Sequence, residues 1–523
     1  MKTRLLLLLI LTLSGGWIRF QGLSFGLPDL FRPDEEYLVS RAIGFEEDMN
    51  PHFAVYPALQ MYVQHAALKS TAWWHDKDSS LQDQVREEGI HTAHLSGRRV
   101  SAAFGTLTIP ALYWATVATY GPVAALVSAA GLSAATLHVR ESKYATTDAA
   151  ATFWLTLAIG SMLRVLSRGR MGDALGAGAL TGLALATKYP SGALLAGLAV
   201  AHLGARWREG RTLWRVFRDI RPWLTLYAAA VVTFLATPYT FLDWQRTVQA
   251  FTFQKGFVAN GVGNSFGGWG WDWFLWKVLP DSFGPELALV LGVATAWVIL
   301  RPRLGTYSLL TFLLVAVIGI TQSRYSFYRY ALVPLPALLI FLGIFLSDLC
   351  QFLQKRMGKG SAILMTAIGV VLLLTPCLIR DYKLNRLLYR KDTRTMAREW
   401  IEKNLPAGEA LAASAPQTAY GKPQLGSRHT YVRLGTPHDL KRLKIRWVLS
   451  DSDVLPFYSP GVSPEQEDWL ATKALLRFSV DPRKPDTPTP NFDQNDAFYV
   501  PLRHASSIKR PGPRIRIWEI PEH

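Results

Sequence analysis

The sequence carries little charge for its length. Of 523 residues only 18% are Asp, Glu, Lys or Arg and half are hydrophobic, too apolar for a soluble chain of this size and too charged for one built only of membrane spans. It has two cysteines, Cys350 and Cys377, which excludes a disulfide scaffold. No Cys/His spacing around them suggests zinc. No internal repeat is visible, unlike the matching halves of many transporters. The first apolar run, MKTRLLLLLILTL, lacks a following A-x-A cleavage site. Because Trp17 and Ile18 continue its apolar character, it reads as a retained helix rather than a signal peptide.

What is present is a series of long stretches without any formal charge. They fall at about 5–18, 100–118, 122–137, 149–163, 174–187, 189–204, 222–240, 287–300, 304–321, 330–347 and 361–379, which predicts a multi-span α-helical membrane domain with eleven transmembrane helices. Several are shorter than the roughly 20 residues a perpendicular helix needs, so flanking Trp, Tyr, Arg and Lys extend them or they sit among longer helices.

An eleven-span chain alternates sides, and its basic residues should collect in every second loop. With the N-terminus cytoplasmic, the inner segments hold 16 Lys and Arg against four acids, six of the arginines in ARWREGRTLWRVFRDIRP, whereas residues 19–99 hold eight basic and twelve acidic residues. The net charge of +17 therefore comes partly from topology and partly from a tail (380–523) of 24 basic and 17 acidic residues. A basic balance of this origin gives no reason to expect nucleic acid. Cys350 and Cys377 fall near opposite faces, which argues against a disulfide between them.

The polar residues that stand out all lie on the outer side in this scheme. FRPDEEYLVS brings Asp34, Glu35 and Glu36; HVRESKYATTD brings Arg140, Glu141, Lys143 and Asp148; TKYP brings Lys188 and Tyr189; QSRYSFYRY brings Arg324, Tyr325, Tyr328 and Arg329. Each has an ordinary role open to it, the cations as interfacial anchors, Asp34 and Asp148 as helix caps. Acids and cations converging on one outer face also fit one chemical problem, a lipid phosphate. A carboxylate would take a proton from an attacking acceptor while cations stabilise a phosphate leaving group.

NPHFAVYPALQMYVQHAAL sets His52, Tyr56, Tyr62 and His65 among apolar residues, a pattern suited to juxtamembrane helices roofing a site. HTAHL places His91 and His94 three apart with His75 and Asp76 upstream, weak grounds for a metal, so none is expected and a divalent ion is the disfavoured alternative. Glycines in 238–285 predict a mobile, irregular loop whose Trp269, Trp271, Trp273 and Trp276 anchor it at headgroups or stack on a sugar. Beyond the spans, DTRTMAREWIEKNLPAGE reads as an amphipathic helix, followed by strand-like runs ALAAS, RHTYVRL, RWVLSDS, LLRFSV, AFYVP and RIRIWEI. The domains expected are 1–379 in the membrane and 380–523 as a small extracytoplasmic α/β domain, which binds an acceptor or stabilises the protein.

Five stretches in order, RPDEEYLVSRA, NPHFAVYPALQMY, RESKYATTDAAATFW, LTGLALATKYPSGALL and FYRYALVPLPALLIFLG, resemble the GT-C superfamily of polyprenyl-phosphate-dependent glycosyltransferases, in the branch of the protein O-mannosyltransferases and the lipid A aminoarabinose transferase (glycosyltransferase family 39-like). The resemblance implies inversion at the anomeric carbon, a polyprenyl-phosphate sugar as donor, membrane lipids as surroundings and no metal. Asp34 then matches the catalytic base, Glu35 its acidic neighbour and Asp148 the second acid. Lys188 and Arg329, with Arg140 and Lys143, become candidates for the donor phosphate, and His52, Tyr56, Tyr189 and Arg324 for the substrate pocket. Histidine is more usual in this branch where Lys143 stands. Nothing identifies the sugar or the acceptor. Two alternatives remain, metal-dependent transfer of a preassembled lipid-linked oligosaccharide and a transporter or flippase, the latter disfavoured because the spans lack formal charge.

Overall fold

The computed structural model describes the chain except residues 1, 75–78, 211–217, 261–269, 325–326, 415–418, 453–454, 456–457, 494–497 and 522–523. His75, Asp76, Trp269 and Tyr325 lie outside the described residues. Two compact units emerge, one of Met1–Leu23 and Tyr37–Tyr382, the other of Ser24–Glu36 and Lys383–His523.

The first unit is helical. Each charge-free stretch coincides with a helical segment, and five helices are long and apolar enough to cross a membrane: Lys2–Phe20, Ile90–Ser133, Asp148–Arg168, Leu335–Met357 and the one beginning at Lys359. The 44-residue Ile90–Ser133 helix breaks at Gly121, where φ is +83° and Pro122 follows, so the two stretches read on either side of it are separate helical runs. Shorter apolar helices are Ile220–Ala236, Pro285–Leu300 and Leu304–Thr321. Close packing relies on small residues. A Cβ at Gly182 would lie 2.7 Å from the Ala229 carbonyl, one at Gly178 would overlap that of Thr225, and Thr225 donates to the Ala174 carbonyl at 3.1 Å. Glycines four apart thus bring Met171–Thr187 against Ile220–Ala236. Exposed Ile363, Leu364, Ile368, Val371 and Leu372 give the Lys359–Leu388 helix an apolar face fitted to lipid.

Between the first two long helices lie Pro33–Gly44, Leu59–Trp74 and Leu81–Glu88, the short helices expected in the first outer loop. Leu38, Phe45, Ala58 and Met61 form a buried cluster there, with Phe53, Tyr56 and Tyr62 against it. The loop expected over 238–285 is more ordered than its glycines predicted. Trp244–Asn260 is a 17-residue helix and Trp271–Phe283 is helical throughout, because the glycines cluster in 256–270 while the flanks are rich in helix-compatible residues.

In the second unit five strands, β1 (Ala410–Ala413), β2 (Thr430–Arg433), β3 (Trp447–Ser452), β4 (Leu475–Val480) and β5 (Arg514–Glu519), form a sheet of order β2-β1-β3-β5-β4. β1 runs parallel to β2 and β3, whereas β5 is antiparallel to β3 and β4. Alternation divides the core. Leu411, Leu449 and Ile517 face Ala397 and Ile401 of the Thr393–Asn404 helix, and Ala412, Val448 and Trp518 face Leu440 and Leu470 on the other side. Of AFYVP, residue 497 lies outside the described residues, and 498–501 are not a strand. Phe498, Tyr499 and Val500 are buried in irregular chain, since apolar content alone does not distinguish a buried loop from a strand. Cys350 and Cys377 are both free and buried.

Candidate active site

In the first unit the TKYP turn ends one helix and starts another. Lys188 leaves Met171–Thr187 in an extended conformation, and Tyr189–Ala193 follows as a 3-10 turn. Extension turns the ammonium of Lys188 toward Asp148, the first residue of Asp148–Arg168 rather than its cap. Nζ donates to Asp148 Oδ1, both side chains are buried, and Nζ stands 5.6 Å from the centre of the Tyr330 ring. A lysine is held in such surroundings by the carboxylate that offsets its desolvation, and the ring face adds attraction.

Lys188 borders a cavity of about 550 Å³ lined also by Tyr56, Tyr189, Phe251, Gln254 and Tyr330, with Val315, Ala316, Gly319 and Ile320 as an apolar wall. Tyr189 donates from its hydroxyl to the Ala54 carbonyl at 3.2 Å, and its ring lies 4.8 Å from that of Phe251. One buried cation at the edge of an apolar hollow can hold an anionic head while the hollow takes a greasy chain.

The other expected site residues lie around this arrangement in different ways. Arg329 is 6% exposed, with its guanidinium 4.1 Å from the Phe327 ring centre. Its neighbour Tyr328 donates to Asp281 at 3.0 Å, and Asp281 is paired with Lys277 at 3.0 Å. Arg324 is exposed, its amide donating to the Val258 carbonyl at 3.0 Å. Arg140 is buried 3.4 Å from Glu141. Lys143 differs from the expectation of a phosphate contact, because its Nζ donates to the carbonyls of Ile18, Arg19 and Gln21 at 2.6, 3.2 and 2.7 Å. An ammonium has three protons to donate, and here main-chain oxygens take them. His52 is exposed in a left-handed conformation, 2.7 Å from Asp48. The Asn50 amide and then His52 hold the Asp48 carboxyl below its ordinary value. Tyr62 donates to the Met49 carbonyl at 3.0 Å, and burial pushes its hydroxyl up to about 12, so it stays a neutral donor. None of Arg140, Lys143, His52 and Arg324 lines the cavity.

Asp34 and Glu35 belong to the second unit and occupy the first turn of Pro33–Gly44, where the helix dipole favours negative charge. Proline at the first helical position sets the start of that turn. Asp34 is partly exposed, Glu35 is buried, and Glu36 accepts from the Tyr420 hydroxyl at 3.1 Å. The preceding residues pack within the same unit. Asp29 accepts from Thr395 at 2.6 Å and pairs with Arg398 at 2.9 Å; burial raises its carboxyl, and these two partners pull it back.

Among the described residues no group of three His, Cys, Asp or Glu is placed to hold a metal. Sequence reasoning missed Tyr330, Phe251 and Gln254. Tyr330 had been counted as the first residue of a span, and the other two as part of an irregular loop; helical spacing from Trp244 to Asn260 was the signal available for them.

Residues 62–253, just over a third of the chain, match the family model for dolichyl-phosphate-mannose-protein mannosyltransferase. No curated protein sequence matches. Among solved structures, ArnT from Cupriavidus metallidurans bound to undecaprenyl phosphate superposes with a TM-score of 0.53 at 16% identity, over 98% of this chain and 97% of that one. The archaeal oligosaccharyltransferase AglB from Archaeoglobus fulgidus, in complex with an inhibitory peptide and a dolichol-phosphate, gives 0.51 at 12% identity over 93% and 75%. The Archaeoglobus fulgidus oligosaccharyltransferase tethered with an acceptor peptide containing the NVT sequon gives 0.52 at 11% over 87% and 69%. At such identities the likeness is one of fold. Taken with the family match, that fold is the one of the GT-C superfamily of glycosyltransferases.

Proposed function

We propose that this chain of GT-C fold is an inverting glycosyltransferase that moves a sugar from a polyprenyl-phosphate donor to an acceptor hydroxyl or amine at the outer face of a cytoplasmic membrane, with its N-terminus inside. The observation that carries the reading is the buried Lys188, held by Asp148, in the lining of a 550 Å³ apolar cavity, together with the undecaprenyl phosphate and dolichol-phosphate bound in the ArnT and AglB structures of like fold.

In this reading the acceptor oxygen or nitrogen bonds to the anomeric carbon from the face opposite the phosphate. The bond from that carbon to the phosphate oxygen breaks, its electron pair goes to the phosphate, and the acceptor proton goes to a carboxylate. Lys188 stabilises the charge that grows on the phosphate, and Asp148 keeps the ammonium aimed. Arg329 is a second candidate cation. The role of base falls to Asp34, with Glu35 beside it, on the resemblance of RPDEEYLVSRA to the superfamily. The tail domain (380–523) is read as an acceptor-binding or stabilising module.

The test is binding of, and sugar release from, a panel of polyprenyl-phosphate sugars by purified protein in lipid nanodiscs, wild type against Asp34→Asn. Donor-specific turnover lost in the variant supports the reading, whereas no binding of any donor returns the chain to the transporter alternative. Its likeness in fold to oligosaccharyltransferases keeps one competitor, transfer of a preassembled oligosaccharide with a metal; turnover abolished by EDTA and restored by a divalent ion would favour it.

A further inference from the structure

The unit that contains the C-terminal sheet also contains a short piece of chain from far upstream, Ser24–Glu36. This piece is bound there by specific polar contacts. Besides Thr395 and Arg398 on Asp29, the Leu30 amide donates to Gln424 Oε1 at 2.8 Å, and the Gln424 amide returns a bond to the Leu30 carbonyl. The Phe31 ring lies 3.7 Å from the guanidinium of Arg394, which is itself held by Asp392 at 2.7 and 2.9 Å. Asp29, Asp392 and Arg394 are all buried. Buried ionic pairs contribute less stability than an apolar contact of equal size, and their best-attested use is to fix one register among several. The register fixed here is that of the residues leading into Pro33, and Asp34 follows it by one residue.

We propose that the C-terminal domain positions the acid-bearing turn, with Asp29 and Thr395 as positioning residues that fix where the Pro33–Gly44 helix begins and thus where Asp34 is carried. This rests on the reading of Asp34 as base. The tail domain then governs the rate of the chemical step as well as any acceptor contact, because misplacing a reacting group by about 1 Å costs up to ~100-fold in rate.

The test uses the full chain in nanodiscs and reads two quantities, hydrogen–deuterium exchange of peptides covering 24–36 and sugar release from undecaprenyl-phosphate sugars. Thr395→Val removes the hydroxyl at nearly constant volume, Thr395→Ser keeps it, Asp29→Asn removes the charge facing Arg398, and Gln424→Ala loosens the Leu30 clamp without touching a buried charge. We expect Thr395→Val, Asp29→Asn and Gln424→Ala to speed exchange across 24–36 while β1 and β3 stay protected, and to lower kcat by about 10- to 100-fold with donor KM within about twofold. Thr395→Ser should recover both. Exchange unchanged in all three variants, or faster exchange with wild-type kcat, overturns the proposal, as does loss of protection throughout the sheet in all three. Asp34→Asn run in parallel separates the two ideas. An inactive Asp34→Asn beside fully active Thr395→Val and Gln424→Ala sinks the positioning role alone, whereas an active Asp34→Asn sinks the base.

Discussion

Lys188 donates a hydrogen bond from Nζ to Oδ1 of Asp148, and neither side chain is more than 8% exposed. Removing one member of a buried pair is worse than removing both, because the survivor keeps its desolvation cost. Lys188→Met should lower stability by about 3–5 kcal/mol, and the double variant Lys188→Met with Asp148→Asn by less. Thermal unfolding in detergent measures both. Equal losses in the two would mean that the pair is not energetically coupled.

Asp34→Asn keeps size and hydrogen-bonding capacity at the first turn of Pro33–Gly44, where the acid already sits partly exposed. Expression and melting should stay near wild type, while turnover falls by at least about 100-fold, as expected for loss of a general base. A variant with wild-type turnover removes Asp34 from the mechanism.

Gly319 lines the apolar wall of the cavity, and a Cβ there would meet nothing within 4 Å. Gly319→Leu therefore improves helix propensity in Leu304–Thr321 by up to about 1 kcal/mol while filling the hollow. Stability should hold or rise, and KM for a long-chain polyprenyl donor should increase about tenfold or more by loss of apolar contact. Unchanged KM would show that the donor chain lies elsewhere.

Asp451 is buried at the end of β3, where desolvation pushes its carboxyl up to about 6, opposed by Lys422. The folded state thus binds this proton more tightly than the unfolded state does. The resulting stabilisation is complete below about pH 4 and is lost as pH rises through about 6. Resistance of the tail to limited proteolysis should fall across that window, and in Asp451→Asn the step should vanish. Persistence of the step in the variant would assign it to another group.

The resemblance carried by RPDEEYLVSRA and its companion stretches is met by the fold, and the spans were legible because a bilayer tolerates few charges, so their absence marks helices directly. Gly121 with Pro122 separates two stretches that sequence had already parted. The strands of the tail were readable from short apolar runs, most of them β-branched or aromatic, apart from AFYVP, whose described residues 498–501 are buried in irregular chain. Side-chain direction was not readable. Lys143 and Lys188 sit in similar polar turns, yet one ammonium reaches three carbonyls and the other a carboxylate, a difference set by which helix end stands opposite. Nor could spacing reveal that Ser24–Glu36 folds with residues more than 340 positions later, because contacts of that separation leave no periodic trace.

Five helices of the first unit, Met171–Thr187, Leu194–Arg208, Ile220–Ala236, Pro285–Leu300 and Leu304–Thr321, have 15 to 18 residues each. At 1.5 Å per residue they reach roughly 22–27 Å, several ångströms less than a typical hydrocarbon core of about 30 Å. Such a shortfall is met by flanking polar side chains that reach the interface, by packing among longer helices or by local thinning of the bilayer, and where the bilayer thins the headgroup plane is drawn inward. Lys188 stands at the very end of one of these short helices. If Lys188 meets the donor phosphate as proposed, thinning there makes acyl-chain length in the host membrane a control on how easily that phosphate comes level with the ammonium, with shorter lipids easing its approach and longer ones hindering it.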